Sequence, residues 1–104
     1  MKSTTKSNFK NDVLDSKKVV LLDVWAPWCA PCRGMESTID AIEKEASSWL
    51  DIVKLDASVE MDLVQELGIS GLPTYLVYKN GKIISSAVGA TSKTKLFDII
   101  TKAK

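Results

Sequence analysis

Apolar residues along this chain recur at two periods, and the changes of period mark its elements. Val19-Val20-Leu21-Leu22-Asp23-Val24 is apolar at nearly every position, which suits a parallel strand covered on both faces. Met35, Ile39, Ile42, Ala46 and Trp49 recur at helical spacing, with Glu36, Asp40, Glu43 and Lys44 away from that stripe. They predict a helix over about residues 31–48. Upstream, Ser7 is positioned to cap a helix over residues 8–16, with Phe9, Val13 and Leu14 inward. Residues 51–56 read as a second central strand. Ser58 then caps a short helix to Leu67, which Gly68 ends in a left-handed cap. An irregular link, Ile69-Ser70-Gly71-Leu72-Pro73, leads to a strand over 74–79. Asn80-Gly81 makes a type I′ turn into an antiparallel partner over 82–88. Ser92 opens a last helix with Leu96, Ile99, Ile100 and Ala103 inward, and residues 4–6 are a candidate edge strand. The order (β)αβαβαββα predicts an α/β fold, a mixed sheet with helices on both faces.

Composition narrows the function classes. The 104 residues predict one domain over 1–104, and 45% apolar with 26% charged residues is ordinary globular usage. A net charge of +1 gives no electrostatic reason to expect nucleic acid or an anionic membrane as partner. No apolar segment follows the polar start Met1-Lys2-Ser3-Thr4, so it does not read as a signal peptide, and the run from Val19 to Leu22 is too short to cross a bilayer. The expectation is a cytoplasmic protein, although a chain trimmed of a leader would read the same.

Both cysteines lie in Trp25-Ala26-Pro27-Trp28-Cys29-Ala30-Pro31-Cys32, at the predicted strand-to-helix junction. A Cys-x-x-Cys pair there sets its first sulfur beside unpaired backbone N–H groups and the positive end of a helix, which favours the reactive thiolate. Cys29 is therefore the candidate nucleophile. Cys32, one turn further in and less accessible, would displace the mixed disulfide that Cys29 forms with a substrate and close the Cys29–Cys32 bond. As a structural staple so short a loop contributes little. Zinc needs four ligands, and the chain has no histidine and no second cysteine pair.

Asp23, inside an apolar strand, should be desolvated and its pKa raised. Such a carboxyl can take the proton from Cys32 as it attacks; the plainer reading is an acid at a frayed strand end. Lys54, on the neighbouring strand, is either the partner of Asp23 or a solvated edge charge. Pro73, after Gly71-Leu72, fits a cis peptide bond or an ordinary trans proline opening a strand. Trp25, Ala26-Pro27, Trp28, Gly71 and Gly89-Ala90 are candidates for an apolar rim around Cys29, and Trp49 reads as core.

Taken together these residues resemble the thioredoxin family. Asp23-Val24-Trp25-Ala26-Pro27-Trp28-Cys29-Ala30-Pro31-Cys32-Arg33 is similar to its active-site signature and Gly71-Leu72-Pro73-Thr74 to its cis-proline loop. Lys79-Asn80-Gly81 with Val88-Gly89-Ala90 is similar to its C-terminal hairpin. The resemblance spans nearly the whole chain. It implies the thioredoxin fold, a central sheet of four to five strands flanked by four helices, with Cys29 attacking and Cys32 resolving. It also implies Asp23 as the buried acid, Lys54 as the lysine near it, and Pro73 in cis. Trp28, Pro31, Gly71, Leu72, Pro73, Gly89 and Ala90 would bind substrate. The implied activity is reduction of protein disulfides by a monomer without cofactor or metal, recycled by an NADPH-dependent flavoprotein, thioredoxin reductase.

Departures from the family pattern are Ala30 for the usual Gly, Arg33 for Lys, Leu72 for Ile, and Ser37 in place of the proline that kinks the active-site helix. With Gly34 before it, that helix is expected to be straighter or locally looser. Two other readings are a disulfide oxidase or isomerase on the same fold and a redox-silent binding subunit.

Overall fold

A computed structural model describes residues 1–104. The chain builds one five-stranded sheet in the order β1-β3-β2-β4-β5. β2 (Val19–Trp25) lies at its centre, parallel to β3 (Leu50–Asp56) and antiparallel to β4 (Thr74–Lys79). β5 (Lys82–Val88) returns from β4 through Asn80-Gly81, both at positive φ as a type I′ turn requires. The edge strand β1 is Lys2–Ser3, not residues 4–6. It runs parallel to β3, and the Thr4 N–H to Lys54 C=O bond of 2.9 Å is its last contact with that strand.

Alternation along β2 sends its side chains into two cores. Val19 and Leu21 join Ile52, Tyr75 and Val77 beneath α2 (Glu36–Ala46) and α4 (Lys93–Thr101). Val20, Leu22 and Val24 join Val53, Leu55, Leu76 and Tyr78 beneath α3 (Met61–Glu66) and the N-terminal helical turn. Apolar residues on both faces are what a central strand requires. No helix is long and apolar enough to cross a membrane.

Local structure departs from the sequence pattern in three further places. The predicted first helix is a single π-helical turn, Lys10–Leu14, closed by the Asp15 N–H to Lys10 C=O bond of 2.8 Å. Ser7 does not cap it; the widened turn lets both Phe9 and Val13 bury, with Phe9 edge-on to Tyr78. Ser58 caps nothing either, because Asp56 Oδ1 accepts both its N–H and its hydroxyl at 2.9 and 2.6 Å. α3 therefore starts at Met61, and it ends as predicted. Gly68 at φ 73° lets the Gly68 and Ile69 N–H groups bond back to Gln65 and Val64.

The third departure bears on the site. The active-site helix is not continuous: α1 (Ala30–Gly34) stops, Met35 sits at φ −91°, ψ −6°, and α2 begins at Glu36. The Met35 N–H bonds to the Cys32 carbonyl at 3.1 Å, a tightened turn. No proline is needed for this break. Gly34 weakens the helix locally, by about 1 kcal/mol relative to alanine, and burial of the Met35 side chain against the sheet favours the displaced path. The predicted stripe of Met35, Ile39, Ile42 and Ala46 is buried throughout, with Trp49 half-buried at its end.

Candidate active site

β2 delivers the chain to the cysteines at the end of the sheet. Cys29 is the N-cap of α1, and its sulfur accepts the Cys32 N–H at 3.2 Å. Pro31 sits in the first turn, where its missing N–H leaves no bond unmade. The Arg33 guanidinium donates to the Pro27 carbonyl at 2.8 Å and so ties the loop before the cysteines to the helix after them.

Cys29 and Cys32 are joined as a disulfide with their Cα atoms 5.3 Å apart. The predicted contrast between an open Cys29 and a sheltered Cys32 is not found in this state: the residues are 5% and 7% exposed. The bond holds Cys29 to a residue inside the helix, so the two are shielded alike. Placement separates them instead. Cys29 lines an apolar groove of about 470 Å³, and Cys32 does not.

That groove collects some of the predicted rim and omits the rest. Trp28, which is 70% exposed, borders it together with Pro31, Gly71 and Leu72. Ala57, Val64 and Ile69 complete its apolar wall, and none of these was singled out from the sequence. Their signal was present only as apolar residues outside the predicted inward stripes. Ala26 is fully buried and Trp25 half-buried beneath Lys54, so neither forms a rim. Gly89 lies beside Pro73, donating its N–H to the Pro73 carbonyl at 2.7 Å, and Ala90 is exposed beyond it. Pro73 is buried after a cis Leu72–Pro73 peptide bond. The Thr74 hydroxyl donates to the Gly71 carbonyl at 2.6 Å, whereas Leu72's own N–H and C=O make no hydrogen bond within the chain. A Cβ on Gly71 would stand 3.2 Å from Val88 Cγ1, so glycine keeps this side of the groove close to β5.

Asp23 is 6% exposed in the middle of β2, in register with Lys54 on β3 and Tyr75 on β4. It is no frayed end. Burial pushes its carboxyl up to about 6, against the opposing pull of Lys54 and with a smaller push from Glu36. Lys54 makes no ion pair with Asp23. Its ammonium lies 4.7 Å from the centre of the Trp25 ring, whose indole face attracts it. Two polar atoms in this part of the core, Trp25 Nε1 and Tyr75 Oη, have no hydrogen-bond partner.

Comparison with known proteins agrees with this geometry. The family model described as thioredoxin matches residues 1–102. A thioredoxin of Synechocystis sp. is 38% identical over 96 residues, 92% of this chain and 90% of the relative. A thioredoxin of Rickettsia felis is 36% identical over 101 residues, 97% of this chain and 96% of the relative. In three dimensions the chain is similar to the crystal structure of a Malassezia sympodialis thioredoxin. That likeness has a TM-score of 0.87 and 32% identity, covering 99% of this chain and 90% of the other.

Proposed function

The chain belongs to the thioredoxin family and is a protein-disulfide reductase, and on that premise we propose how its site residues divide the reaction. The observation that carries the assignment is the Cys32 N–H aimed at Cys29 Sγ on the wall of an apolar groove. In the reduced protein the same N–H stabilises a Cys29 thiolate. That thiolate attacks one sulfur of a substrate disulfide. The substrate S–S bond breaks, one substrate sulfur leaves as thiolate, and a Cys29–substrate mixed disulfide forms. The Cys32 thiol then gives its proton to Asp23, its sulfur attacks Cys29 Sγ, and the second substrate thiolate leaves. Two electrons have passed to the substrate and the Cys29–Cys32 bond is closed.

Trp28, Pro31, Gly71 and Leu72 would hold the substrate's apolar neighbourhood in the groove, while the free N–H and C=O of Leu72, beside Pro73, pair with its extended backbone. Gly89 and Ala90 would extend that contact. Lys54 would act at a distance, as a positive charge lowering the proton affinity of Asp23. The family resemblance supports recycling by an NADPH-dependent flavoprotein reductase and work as a monomeric electron carrier in the cytoplasm. Reduction of insulin by NADPH, a thioredoxin reductase and this protein tests the assignment. Cys29→Ser abolishes turnover, and Cys32→Ser accumulates a covalent mixed disulfide with the substrate. Retained turnover in either variant would overturn it.

A further inference from the structure

Asp23 shares a small pocket of about 170 Å³ with Glu36, Asp40, Lys54, Ile39 and Met1. Glu36 is exposed and, because the helix breaks at Met35, is the first residue of α2, with Asp40 one turn further on. The groups facing Asp23 come from every element around it. β3 supplies Lys54, whose ammonium is drawn over Trp25, and β4 supplies the neutral Tyr75 hydroxyl. α2 supplies the Glu36 and Asp40 carboxylates, and the α-ammonium of Met1 is engaged by Glu43 at 2.9 Å. Asp23 therefore shares this pocket with two carboxylates, Glu36 and Asp40, that have no ion-pair partner of their own, while the pocket's two cations are engaged elsewhere.

We propose that Glu36 is a positioning residue for the resolving step, its carboxylate confronting Asp23 across this pocket and making Asp23 the stronger base toward the Cys32 proton. This rests on the role given to Asp23 above. The proton passes from Cys32 Sγ to the Asp23 carboxylate and from there through the pocket to solvent, and Glu36 is not consumed. The negative charge of Glu36 works in the same direction as burial on Asp23 and against Lys54.

Two readouts test this on the reduced full-length protein. One is titration of the Asp23 carboxyl by carbon-13 NMR. The other is the pH profile of the reaction with dithiobis(nitrobenzoate), which releases one coloured thiolate when Cys29 attacks and a second, in a concentration-independent phase, when Cys32 resolves. Glu36→Gln should move both midpoints down by roughly half a pH unit, as expected for loss of one nearby, partly screened charge. Glu36→Lys should move them further, and Glu36→Asp should restore them. An Asp23 midpoint unmoved by Glu36→Gln overturns the proposal, even where Asp23→Asn still removes the pH step in the second release. If the Asp23 midpoint moves and the second release does not follow, Asp23 is not the base, and both readings fall together.

Discussion

The two faces of the central sheet use the same strands but hold different cores. Toward α3 and the π-helical turn, β2 contributes Val20, Leu22 and Val24 to a layer of apolar side chains. Toward α2 and α4, the same strand contributes Val19 and Leu21 and then the buried Asp23. On that side the buried Tyr75 hydroxyl is unpartnered as well. The first face is apolar packing throughout, and its outer residues Val64 and Ile69 also wall the groove beside Cys29. The other holds a desolvated acid where the proposed chemistry needs a base, and it is less stable at neutral pH as a result.

The largest effect that sharpens this contrast lies on the apolar face. Leu22 is fully buried, so Leu22→Ala should destabilise the protein by about 4 kcal/mol through lost burial and the cavity left behind. Urea unfolding measures this, and reductase activity per folded molecule should be unchanged. A loss under about 1 kcal/mol would mean that this face is loosely packed.

Across the sheet the sign reverses. The Asp23 carboxyl is raised from 3.8 to about 6 in the folded chain. Between those values the folded state binds a proton that the unfolded state has released, so stability falls as pH rises through that window. Above it the deficit is complete, and for a shift of that size it amounts to about 3 kcal/mol. Asp23→Asn should therefore stabilise the protein by up to about 3 kcal/mol at pH 7, with the gain vanishing near pH 4, while slowing resolution by Cys32. Equal stability of parent and variant at pH 7 would erase the proposed difference between the faces.

The smallest effect concerns Tyr75. Removing an unpaired buried hydroxyl deletes a desolvated group without opening a cavity, so Tyr75→Phe should raise stability by up to about 1 kcal/mol. A loss of similar size would show that the hydroxyl has a partner, and the α2/α4 face would then be less strained than its geometry indicates.

Much of this was legible along the chain. The period change from β2 to the active-site helix, the Asn80-Gly81 turn and the Gly68 cap follow from local stereochemistry, and all three are present. The N-terminal π-helical turn was not legible, and of the break at Met35 only a locally looser helix at Gly34 was. Each is set by which side chains the sheet can bury, and Phe9, Val13 and Met35 reach their places only through packing. Lys54 shows the same limit. The sequence leaves it either the partner of Asp23 or a solvated edge charge. The fold sets it in register with Asp23, but the Trp25 ring, two positions along the neighbouring strand, claims the ammonium.

The chain by itself determined that two cysteines stand at a strand-to-helix junction with an acid in the preceding strand, because such placement depends on residues close in sequence. Only the tertiary structure decided that Cys29 lines the groove, that Ala57, Val64 and Ile69 face it, and that Glu36 shares a pocket with Asp23. Desolvation and charge proximity arise between elements far apart in the chain, and no local pattern carries them.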